Sequence, residues 1–73
     1  MISPDEAVEI ARRATIGKAT LQDRAPVRVE RRRGRYVVTF VHEQPPGVRG
    51  ADYDAQVTID AEGGEVIEIL GGP

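Results

Sequence analysis

Arg35-Tyr36-Val37-Val38-Thr39-Phe40-Val41 carries apolar or β-branched side chains at almost every position. Side chains alternate along a strand, so Tyr36, Val38 and Phe40 share one face while Val37, Thr39 and Val41 share the other, and this composition has high β propensity. A strand that is apolar on both faces belongs inside a sheet, and the remaining elements are expected to pair with it or pack on it.

Upstream, residues 27 to 32 alternate as a half-buried edge strand, with Val27 and Val29 inward and Arg28 and Glu30 outward. Pro26 at its start suits an edge. Arg32-Arg33-Gly34-Arg35 is the turn between the two strands, with Gly34 available for a positive φ. Downstream, residues 42 to 51 hold two prolines and two glycines and read as one long loop. Tyr53, Ala55, Val57 and Ile59 then alternate with Asp54, Gln56 and Thr58 as a third strand. Residues 60 to 64 turn the chain, and residues 65 to 70 return as a fourth strand. Val66, Ile67, Ile69 and Leu70 make that strand apolar on both sides, which argues against a plain exposed edge. The tail from Gly71 to Pro73 is expected to fray.

The N-terminus holds the strongest local signal. Ser3-Pro4-Asp5-Glu6 combines an N-cap hydroxyl, proline at the first helical position and glutamate at N3, a capping box with two acids at the positive helix end. Ala7, Val8, Ile10, Ala11, Ala14 and Thr15 or Ile16 recur at helical spacing, and Gly17 supplies a stop. One helix over residues 4 to 16 follows, with residues 18 to 25 as a connection whose Leu21 tucks under it. The expected fold is α+β: one N-terminal helix packed on a four-stranded antiparallel sheet, an α-β-β-β-β meander, in a single domain over residues 1–73.

Within the 73 residues, 40% are hydrophobic and the aromatics are Tyr36, Phe40 and Tyr53, so the core is aliphatic and stability modest. There is no cysteine, which excludes disulfides and cysteine-based zinc sites. No stretch approaches the ~20 apolar residues of a membrane span, and no secretory pattern opens the chain. The default expectation is a cytoplasmic protein without membrane insertion, or an extracytoplasmic one if the chain is a processed or excised domain. Net charge is −2, yet residues 1 to 36 hold nine basic and five acidic side chains and residues 37 to 73 one basic and seven acidic. Such opposed halves suit self-association at least as well as a nucleic-acid partner.

Ser3-Pro4-Asp5-Glu6-Ala7, Ile10-Ala11, Tyr36-Val37-Val38 and the run from Val57-Thr58-Ile59-Asp60 through Gly63-Gly64-Glu65-Val66 together resemble the PepSY domain family. A cystatin-like module, with a helix and then a curled sheet, is similar to the same order of elements. The PepSY resemblance implies a small non-enzymatic module that regulates or inhibits peptidases or assists folding of its own chain.

Reactive chemistry is sparse. His42 with Glu43, near Asp52 and Asp54, lacks a second ligand at helical or hairpin spacing and reads as a solvated side chain. Asp60, Glu62 and Glu65 lack the spacing of a calcium loop, and Ser3 is used as a cap. No catalytic, cofactor or metal residue is assigned. Two binding surfaces are. The sheet face away from the helix is expected to gather Val37 and Val41 with Ile67 and Ile69, or with Val66 and Leu70, as an apolar patch for a protein or peptide, foremost a second copy. Alternatively, Arg28, Arg31, Arg32, Arg33 and Arg35 form a hairpin able to hold an anionic ligand or nucleic acid bidentately. Solvated charges guarding an edge are the plainer account of those arginines, because no aromatic is interleaved for base stacking.

Overall fold

The computed structural model describes residues 1–18, 21, 26–42, 46–47 and 53–71. It contains one helix, α1 (Pro4–Thr15), and four strands, β1 (Val27–Arg32), β2 (Arg35–Val41), β3 (Tyr53–Asp60) and β4 (Val66–Gly71). The strands form one antiparallel sheet in the order β1-β2-β3-β4, and α1 packs across one face. This is the expected α+β meander.

The capping box forms as its residues dictate. The Glu6 amide donates to Ser3 Oγ at 3.1 Å and the Ser3 amide to Glu6 Oε1 at 3.2 Å. Ala7, Ala11 and Thr15 are the buried helix positions, and small side chains there let the helix approach the sheet closely. The helix ends at Thr15, whose hydroxyl donates to the Arg12 carbonyl at 2.9 Å. Ile16 leaves helical geometry and is 77% exposed, so Thr15 rather than Ile16 completes the apolar stripe.

Tyr36, Val38 and Phe40 of β2 and Ala55, Val57 and Ile59 of β3 form the helix-side core, with Ala61 beside them. Ile2, Leu21, Val27, Val29 and Ile69 pack around it. The Ile2 amide donates to the Ala61 carbonyl at 2.8 Å, and the Tyr36 hydroxyl donates to the Ile2 carbonyl at 3.1 Å. Arg12 extends over Phe40, its guanidinium 5.5 Å from the ring centroid, and closes the core edge by a cation–π contact.

The β3–β4 turn comes close to the helix at Gly64. Its φ is +77°, and a β-carbon there would stand 3.1 Å from Ile10 Cδ1, so both conformation and space select glycine. Two expectations change in the last strand. Gly71 pairs with Ala55 instead of fraying, whereas Gly72 and Pro73 lie outside the described residues. More importantly, β4 is an edge strand despite its apolar content, because the meander leaves it no neighbour beyond β3 among the described residues.

Candidate interaction surface

Register fixes what the sheet presents away from α1. Arg28, Glu30 and Arg32 on β1 stand beside Thr39, Val37 and Arg35 on β2. These in turn face Gln56, Thr58 and Asp60 on β3, and Leu70 and Glu68 on β4 continue the Gln56 and Thr58 rows. The open face is therefore mixed. Val37 and Val41 are half-buried there but separated by Thr39, whose Oγ1 accepts from Gln56 Nε2 at 3.1 Å.

The four side chains expected to form one apolar patch are thus not gathered. Ile69 lies opposite Val57 and packs on the helix-side core. Ile67 is the extra residue where the β3–β4 register shifts, between the pairs Thr58–Glu68 and Ile59–Val66. A bulge of this kind breaks the two-residue alternation, so Ile67 and Ile69 no longer repeat one face. Leu70 is the apolar residue of β4 that continues onto the open face. Of the long loop, Pro46 and Gly47 are exposed, and residues 43–45 and 48–51 lie outside the described residues.

What β4 offers instead is an apolar edge. Val66, Ile67 and Leu70 are 40%, 46% and 41% exposed, beside the backbone donors and acceptors that an edge strand leaves unpaired. The opposite edge is different. There β1 begins after Pro26 and carries Arg28, Glu30, Arg31 and Arg32, the charges and proline that discourage strand addition.

The arginine hairpin divides. Arg31 pairs with Tyr36 and so belongs to the helix side, and Arg28 sits two rows from the turn. Arg32, Arg33 and Arg35 converge with Val37 and Thr58 on a cleft of about 460 Å³. Glu30 Oε2 accepts from Arg32 at 2.7 Å (Nη2) and 3.0 Å (Nε). Arg33 and Arg35 make no ion pair among the described residues. Val37 and Thr58 were not assigned to this site from sequence, although the two-residue turn at Arg33-Gly34 fixes the register that brings them there.

His42 Nδ1 lies 2.8 Å from Asp54 Oδ1, so this side chain is held across the β2–β3 register shift rather than freely solvated. Glu43 and Asp52 are outside the described residues. Among the described residues no group of three or more potential metal ligands converges, and no helix is long and apolar enough to cross a membrane. Comparison with family models, curated proteins and solved structures gave no match for this chain.

Proposed function

We propose that this chain is a non-enzymatic protein-interaction module that receives an extended segment of a partner protein as a fifth strand along β4. The observation that carries this reading is the asymmetry of the two edges: β4 is apolar and exposed, β1 proline-led and charged. Strand addition takes its affinity from backbone hydrogen bonds and its selectivity from alternate side chains. A suitable segment alternates apolar and basic groups, the apolar ones beside Ile69 on the helix side and the basic ones on the open side, where they meet Glu68 and lay their alkyl stems along Leu70.

Charge favours this occupant over a second copy. The fullest two-fold pairing of two β4 strands is centred between Glu68 and Ile69, so each Glu68 lies opposite an isoleucine and gains no cation, whereas the basic group of a partner segment supplies one. Pairing β1 of one copy on β4 of another matches charge but is heterologous, and so builds a ring or an open chain of sheets rather than a two-fold dimer. A peptidase-regulating role, as implied by the PepSY resemblance, is compatible with a module that holds extended chain.

Amide hydrogen exchange tests the reading with a synthetic peptide of alternating valine and lysine. Protection of the Val66–Gly71 amides, with Val27–Arg32 unchanged and a valine–glutamate peptide inactive, is the expected result. Protection at β1 or nowhere would overturn it. Protection of β4 that rises with protein concentration and needs no peptide would also overturn it, in favour of a homodimer.

A further inference from the structure

We infer that the tip of the β1–β2 hairpin is a binding site for a small oxyanion of two or more negative charges, formed by Arg32, Arg33 and Arg35 over a floor of Val37 and Thr58. The site lies at the β1–β2 edge of the open face and uses no residue of β4, so it stands independently of strand addition.

Three observations converge on it. The first is backbone conformation. Arg33 and Gly34 have φ of 46° and 77°, the sign pattern of a type I′ turn, and Arg33 is the one non-glycine with positive φ among the described residues. Asparagine, aspartate or glycine holds that position with less strain, so the arginine there is disfavoured by the turn itself. Second, Arg32 and Arg35 are directly opposed across the two strands, a like-charge pairing that weakens a hairpin unless an anion lies between.

The third is the surrounding charge. Arg32 is partly neutralised by Glu30, but Arg33 and Arg35 are not paired within the described residues. Asp60, across from Arg35, has its carboxylate turned to the β3–β4 turn, where Oδ1 accepts from the Glu62 amide at 3.4 Å and Oδ2 from the Gly63 amide at 3.2 Å. Glu68 lies one strand beyond Thr58. The cleft of about 460 Å³ therefore has a net positive wall and one hydroxyl in its floor. Guanidinium groups present paired donors that match phosphate and carboxylate oxygens bidentately. A phosphate ester, a diphosphate or a small dicarboxylate has the charge to match that wall.

Titration at low salt with inorganic pyrophosphate and with succinate, read by backbone NMR, tests the site and distinguishes phosphoryl from carboxylate ligands. Saturable shifts at Arg33, Gly34, Val37 and Thr58 with at least one probe are expected, weakening steeply as salt rises. The Arg33→Asn variant, which suits the turn, is expected to bind about tenfold more weakly while melting at a higher temperature, since one charge-assisted contact is lost and strain is relieved. A lower melting temperature for Arg33→Asn would make Arg33 a structural residue and overturn the proposal. Absence of saturable shifts with both probes, or shifts that Arg33→Asn leaves unaltered, would do the same.

Discussion

The hydroxyl of Tyr36 and the carbonyl of Ile2, 34 positions apart in sequence, are joined by a 3.1 Å hydrogen bond. Tyr36 is 5% exposed, so this contact ties the segment before the helix to an inner strand from within the core. Tyr36→Phe leaves the ring in place and removes that bond alone. The expected loss is about 1 kcal/mol, readable in chemical denaturation, because the Ile2 carbonyl is left without its side-chain donor. An unchanged midpoint would show that water replaces the hydroxyl at no cost.

Phe40 lies 3% exposed beneath Arg12 and beside Val27. Phe40→Ala is expected to cost roughly 3–5 kcal/mol, a large share of the stability of a domain this small. Circular dichroism of that variant should show it largely unfolded at ambient temperature, and a folded spectrum would mean that neighbouring side chains collapse into the space.

Gly64 and Ile10 form a testable pair. Gly64→Ala adds a methyl 3.1 Å from Ile10 Cδ1 at a φ of +77°, for an expected loss of about 1–2 kcal/mol from backbone strain plus a steric part. Ile10→Val removes that carbon, so a double-mutant cycle should show the second change costing less in the Gly64→Ala background than alone. Strict additivity would mean the conflict is entirely one of backbone conformation.

The edge strand gives a prediction of opposite character. Leu70→Lys replaces a side chain that is 41% exposed, and its effect on melting is expected to stay within about 0.5 kcal/mol. The same change should abolish protection of β4 by the valine–lysine peptide, through a like charge set beside the incoming strand. Retained protection would place the peptide elsewhere.

At the turn, Arg31→Ser and Arg33→Ser should differ. Arg33→Ser removes a charge from the cleft, whereas Arg31→Ser acts on the helix side and should leave pyrophosphate titrations unchanged at every salt concentration. Equal loss in both would indicate diffuse attraction to the basic hairpin rather than a site.

Much of this architecture is legible in the residues because local signals agree with the tertiary result. The Ser3–Glu6 box, the alternation of Tyr36 to Val41 and of Tyr53 to Ile59, and the glycine turns each specify one conformation. The last strand is not legible in that way. With Val66, Ile67, Ile69 and Leu70 apolar on both sides of the pleat, composition alone leaves its buried face open, and the extra residue at Ile67 adds a phase change that no pattern marks. The arginines show the complementary case. Their count suggests one cluster, yet Arg31 shares the parity of Val27 and Val29 and so faces away from Arg32. The sequence sets His42 near both Asp52 and Asp54, but its pairing with Asp54 depends on a register shift across a long connection.

Because strand order in the sheet equals strand order in the chain, synthesis from the N-terminus can build the sheet one neighbour at a time. Each newly released strand covers the edge left by its predecessor: β2 shields β1, β3 shields β2 and β4 shields β3. At every stage the youngest strand is the edge opposite β1, and among the described strands β4 is the last to take that position. The proposed docking strand is thus the most recently added of the four, and a partner segment would continue by one step the same zipping that formed the sheet.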